Sequence, residues 1–106
     1  MISTHILNTH LGKPADGVRV KLFFGDKQLL AESITNQDGR VSDFNLSRLD
    51  EGEYHLEFAT AEYFSKLNID TFFPKIVIYF SIHNAQQHYH VPLLINGFSY
   101  STYRGS

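Results

Sequence analysis

Val18-Arg19-Val20-Lys21-Leu22-Phe23-Phe24 (VRVKLFF) alternates with a period of two. Val18, Val20, Leu22 and Phe24 fall on one side of an extended chain, with Arg19 and Lys21 on the other. That is a strand with one dry face and one wet face. The pattern recurs at 53–58 (EYHLEF), where Tyr54, Leu56 and Phe58 are expected inside and Glu53, His55 and Glu57 in water. Working outward, further strands are predicted at 2–8, 29–35, 75–82, 87–94 and 98–102. Between them lie LGKPADG (11–17), NQDGR (36–40), DEGE (50–53) and INGF (95–98). Their Asp-Gly and Asn-Gly pairs tolerate the positive φ that tight turns demand. One helix is predicted in AEYFSKLN (61–68), with Thr60 as its cap, Glu62 in the first turn, and Tyr63, Phe64 and Leu67 as the apolar side. It must end before Pro74. Six to eight short strands and one helix specify an all-β sandwich.

One predicted strand, KIVIYFSI (75–82), breaks the alternation. Ile76, Ile78, Phe80 and Ile82 make one apolar face, and Val77 and Tyr79 make the other apolar as well. Leu93-Leu94-Ile95 is similarly two-sided. A sandwich strand needs only one apolar face for its own core, so the second is expected to meet another subunit or a covering loop or helix.

The chain has 106 residues, the size of a single domain spanning 1–106, and shows no linker or repeat. It has no cysteine, which removes disulfides and thiolate metal sites. A net charge of −2 with scattered Lys and Arg speaks against a nucleic-acid partner. No apolar run approaches the ~20 residues that cross a bilayer, so no membrane partner is expected. Residues 1–9 do not read as a signal peptide. The expected compartment is the cytoplasm if Met1 is the natural start, or the periplasm if a signal peptide has been removed.

Six histidines are the chemical resource. His88 and His90, two apart in HYH, project from one strand face. With a third histidine they could hold zinc, yet no Asp or Glu follows Asp70 to orient them. The alternative is a pair of ordinary strand histidines. His5 interrupts the apolar first strand, Arg40 follows a turn Asp-Gly, and His10, His55 and His83 read as surface or loop residues. By themselves these residues leave the purpose of the sandwich open.

Taken together, THILNTHLGKPADGVRVKL (4–22), TNQDGRV (35–41), GEYHLEF (52–58), FFPKIVIYF (72–80) and HYHVPLLINGFSYSTYRGS (88–106) resemble the 5-hydroxyisourate hydrolases, the enzyme relatives of transthyretin. The most specific element is the terminal Tyr103-Arg104-Gly105-Ser106, which the hormone carriers lack. The resemblance implies a transthyretin-like, eight-stranded β-sandwich with one short helix, a homotetramer, and a site at its dimer–dimer interface. It implies His5, Arg40, His90 and Ser106 as catalytic residues. Arg40, Tyr103, Arg104, Gly105, Ser106 and His88 are implied to bind substrate. Position 8 departs from the family in being Asn where many members have Asp.

The implied reaction is hydrolysis of 5-hydroxyisourate to 2-oxo-4-hydroxy-4-carboxy-5-ureidoimidazoline, without metal or cofactor. His5 and His90 have intrinsic pKa values near 6.5, so one can accept a proton from water at neutral pH. Arg40 offers a planar fork of donors and disfavours imidazolium nearby. The competing readings are a zinc-dependent hydrolase built on His5, His88 and His90, and a non-catalytic transthyretin-like carrier.

Overall fold

The computed structural model describes all 106 residues. The chain runs β1 (Ile2–Asn8), β2 (Lys13–Pro14), β3 (Arg19–Phe24), β4 (Gln28–Ile34), β5 (Arg40–Val41), β6 (Gly52–Phe58), α1 (Thr60–Lys66), β7 (Ile76–Ile82), β8 (Tyr89–Asn96) and β9 (Ser99–Thr102). Two sheets form, in the orders β2-β1-β8-β9 and β4-β3-β6-β7, with β5 also pairing β1. Nine strands form where eight are expected, and two of the nine, β2 and β5, are two-residue ladders on β1. The pairing of β1 with β8 is parallel, with Ser3 opposite His90 and His5 opposite Pro92.

The alternation puts Val20, Leu22, Leu56 and Phe58 of one sheet against Ile6, Leu93 and Ile95 of the other, all without solvent exposure. They belong to one cluster of 19 buried residues between the sheets. Each such side chain stabilises the fold by roughly 1.5–3 kcal/mol relative to leaving it in water. The complementary residues of the first sheet, including His5, Leu7, His90, Pro92 and Leu94, therefore face outward.

Two local expectations are corrected. The helix starts one residue early: Ala59 is the N-cap, it offers no side-chain cap, and Thr60 is the first helical residue. Thr60 is turned into the core, where its hydroxyl is buried without a partner. Tyr63 N–H to the Ala59 carbonyl holds the first turn instead. His55 points outward as its parity requires, but it is buried, because in-register neighbours close over it from both sides. Phe23 stacks on one face at 4.5 Å and Tyr79 covers the other at 4.7 Å, while Nδ1 donates to the Gly25 carbonyl at 2.9 Å. The two-sided strand β7 lies at a sheet edge with β6 as its one neighbour, and Tyr79, which covers His55, is exposed on its other side.

Asn8, the residue that departs from the family pattern, has a partner at each polar side-chain atom. Its amide donates to the Tyr63 hydroxyl and its carbonyl accepts from Leu11 N–H, both at 3.0 Å.

Candidate active site

The site is built on the outer face of the β2-β1-β8-β9 sheet. His5 stands on β1, and the antiparallel register puts Arg40 of β5 directly across from it. The turn before Arg40 explains how. Asn36 Oδ1 accepts from the N–H groups of Asp38 and Arg40 at 2.9 and 3.0 Å, closing the loop. Gly39 adopts φ +75°, and a Cβ there would lie 2.4 Å from the Ile6 carbonyl. Only glycine lets this loop press so closely on β1. None of the chain's ion pairs engages the Arg40 guanidinium.

His90 comes from β8 and is fixed at two points. Its Nδ1 lies 2.7 Å from Ser3 Oγ, which is also 2.7 Å from His88 Nε2. The tail folds back over the other side of the ring, where Gly105 N–H donates to the His90 carbonyl at 2.9 Å. A Cβ on Gly105 would fall 2.5 Å from His90 Cδ2 and 3.0 Å from Pro92 Cγ. The last residues are therefore part of the sheet face, with Gly105 required by the close approach.

Two adjoining cavities result. One, about 310 Å³, is lined by His5, Leu7, Arg40, His90, Pro92, Leu94, Tyr103, Gly105 and Ser106. The other, about 280 Å³, shares Arg40, His90 and Ser106 with it and adds Ser3, His88 and Ser42. Of the residues singled out in the sequence, His5, Arg40, His88, His90, Tyr103, Gly105 and Ser106 meet here. Arg104 does not. It lies over the Tyr89 ring at 4.5 Å and donates to Gln87 Oε1 at 3.1 Å. The larger cavity near Phe44, Arg48 and Tyr54 is at the other sheet and contains no histidine.

The electrostatics favour neutral imidazoles. Burial, and next the Arg40 guanidinium, pull both His5 and His90 below the ordinary value. His88 and His5 depress His90 further, whereas Asp38 partly offsets the effect on His5. A neutral ring with one nitrogen already hydrogen-bonded can present the other as a proton acceptor. The three histidines do not form a metal-binding group. His88 and His90 both turn toward Ser3 with ring centroids 6.1 Å apart, and no trio of His, Cys, Asp or Glu is placed to share an ion.

Ser3 escaped the sequence reading. It sits two residues before His5, so the same period of two that marks the strand also puts it on the pocket face.

Comparison with known proteins bears on this geometry. The family model described as HIUase/Transthyretin family matches residues 2–105. A probable 5-hydroxyisourate hydrolase of Schizosaccharomyces pombe is 42% identical over 113 residues, covering 99% of this chain and 90% of that protein. The structure of Klebsiella pneumoniae 5-hydroxyisourate hydrolase superposes with a TM-score of 0.92 at 38% identity, covering 99% and 97% of the two chains. Sea bream transthyretin in complex with thyroxine also gives 0.92, at 25% identity with 98% and 93% covered.

Proposed function

The chain belongs to the HIUase/Transthyretin family, and from that premise we propose that it hydrolyses 5-hydroxyisourate to 2-oxo-4-hydroxy-4-carboxy-5-ureidoimidazoline. The observation that carries this reading is the meeting of His5, Arg40, His90 and Ser106 around one cavity on a sheet face. Hydrolysis of a cyclic amide needs a proton acceptor for water, donors for the oxyanion, and a grip on a flat polar ring. The His5–His90 pair holds the water and takes its proton as the oxygen attacks a ring carbonyl. The ring C–N bond then breaks, and the departing nitrogen takes that proton back. Arg40 and the Ser106 hydroxyl donate to substrate oxygens, where such preorganised donors contribute about 10²–10³-fold. Tyr103 and Gly105 wall the cavity, and His88 borders its neighbour. Arg104 acts at one remove, anchoring the tail through Tyr89 and Gln87.

The working form is a homotetramer with the site at its dimer–dimer interface. Supporting this are the unpaired outer edges of β7 and β9 and the half-buried Leu7 and Leu94 beside the cavity. A second copy laid on this face would turn an open cavity into a closed one. A carrier, by contrast, has little use for two imidazoles and a guanidinium in its ligand channel.

The test is spectroscopic. 5-Hydroxyisourate generated in situ with urate oxidase should lose its near-ultraviolet absorbance far faster with the protein than by spontaneous decay. An unchanged decay, together with tight binding of an apolar aromatic ligand, would establish the carrier instead. Full activity after dialysis against a chelator is expected; loss restored by zinc would require the metal-dependent scheme.

A further inference from the structure

Ser3 lies on β1 in register with His90 and is 4% exposed. Its hydroxyl has two imidazole neighbours, His90 Nδ1 and His88 Nε2, each at 2.7 Å. A hydroxyl has one proton to give, so two arrangements satisfy all three groups. In the first, His90 Nδ1–H donates to Ser3 Oγ, and the Ser3 hydroxyl donates to a bare His88 Nε2. The neutral His90 then carries no proton on Nε2, which is free to accept one from water. In the second, His88 Nε2–H donates to Ser3 Oγ, and the hydroxyl donates to His90 Nδ1. A neutral His90 must then hold its proton on Nε2 and cannot act there as a base. A protonated His88 has hydrogen on both nitrogens and so permits only the second arrangement.

We propose that Ser3 is a positioning residue for His90: its shared hydroxyl ties the tautomer of His90 to that of His88, so that Nε2 of His90 is bare when His88 presents an unprotonated Nε2 to Ser3. The inference rests on the reading of the His5–His90 pair as the proton acceptor and names His90 as the member that accepts. In a serine hydrolase triad a carboxylate fixes the tautomer of the base; here His90 Nδ1 meets the Ser3 hydroxyl and no carboxylate, and the Ser3–His88 pair stands in that role. The other charged or titratable side chains around the relay are His5 on β1, Arg40 on β5 and Tyr103 in the tail, with Met1 and Ser106 also lining the two cavities. Arg104 is turned away to Tyr89 and Gln87, and none of these groups hydrogen-bonds the Ser3 hydroxyl.

The ¹⁵N spectrum of histidine-labelled, assembled protein reads the tautomer directly. At pH 8 the wild type should show His90 protonated on Nδ1 and bare on Nε2. Ser3→Ala should give a mixture of tautomers and lower kcat about tenfold or more with little change in KM, the size expected for losing a group that orients a catalytic imidazole. Ser3→Thr, which keeps the hydroxyl, should recover most of that loss. His88→Gln presents an amide oxygen that accepts from the Ser3 hydroxyl, so His90 should stay protonated on Nδ1 and bare on Nε2 in the same spectrum. Should Ser3→Ala not fold, the His90 tautomer in the wild type and in His88→Gln still decides. A His90 protonated on Nε2 in the wild type or in His88→Gln, or a silent Ser3→Ala, would overturn the inference. Loss of turnover in His90→Asn beside a silent Ser3→Ala removes this inference alone. Full turnover in His90→Asn removes the hydrolytic role of His90 itself.

Discussion

The two outer faces of this sandwich each carry histidines at positions of the same strand parity, and they put them to opposite uses. On the β4-β3-β6-β7 sheet, His55 is held between Phe23 and Tyr79, with Nδ1 tied to the Gly25 carbonyl. It is a packing element with no cavity before it. On the β2-β1-β8-β9 sheet, His5 and His90 border open space beside an unpaired guanidinium. What separates the two faces is the residue opposite in register. Aromatic rings across from His55 close over it, whereas Arg40 and Pro92 across from His5, and Ser3 across from His90, leave room for a ligand. Parity chooses the face, and the cross-strand neighbour chooses the chemistry.

The contrast breaks most sharply by substituting one histidine from each face. His90→Asn or His5→Ala should lower kcat by about 10²–10⁴-fold, the usual contribution of a positioned base. His55→Phe should leave kcat within about twofold, because nothing on that face faces substrate. Equal losses from both would show that the outer faces are not functionally distinct.

Arg40→Leu comes next, with an expected loss of about 10²–10³-fold from the missing donor. Its pH profile carries a second signature. Arg40 helps hold His5 and His90 below the ordinary imidazole range. Without it both should titrate higher, and the acid limb of kcat should move to higher pH. An acid limb that stays put would separate Arg40 from the two imidazoles. The same lowered values affect stability. Between them and the unfolded value near 6.5 the unfolded chain binds more protons, so stability should rise with pH across that interval and be lost as pH falls. Chemical denaturation at a series of pH values measures this.

Gly105→Val tests the tail. The new side chain would collide with His90 and Pro92, and a misplacement of about 1 Å can cost 10²-fold in rate. The tail is exposed apart from Gly105, so the melting temperature should barely change. A rate loss accompanied by global unfolding would assign the tail to folding instead. The smallest effect belongs to the opposite face. His55→Ala should destabilise by about 2 kcal/mol, from two lost aromatic contacts and a lost hydrogen bond, as read by denaturant midpoint.

Much of the fold is legible in one dimension because each strand writes its burial as a period of two. Ile2–Asn8 is recovered to the residue, and the other long strands to within one or two residues at each end. The errors have local causes. His55 has the predicted parity, yet its burial depends on Phe23, 32 residues earlier, and Tyr79, 24 later. Thr60 has the composition of a cap, but its side chain is drawn into the core and Ala59 takes the cap position. For the site, the motifs pointed to His5, Arg40, His90 and the tail, whereas Ser3 carries no distinctive signal beyond its spacing from His5.

By itself the sequence determined the strands, the turns, the single helix and the family, since these follow from near-neighbour spacing and from motifs contiguous in the chain. Only the tertiary structure decided that Ser3 joins His88 and His90 across separations of 85 and 87 residues. It also decided that Arg104 turns from the cavity while Gly105 closes on it. The physical reason is register: the parallel pairing of β1 with β8 sets which side chains meet, and that alignment belongs to no single segment.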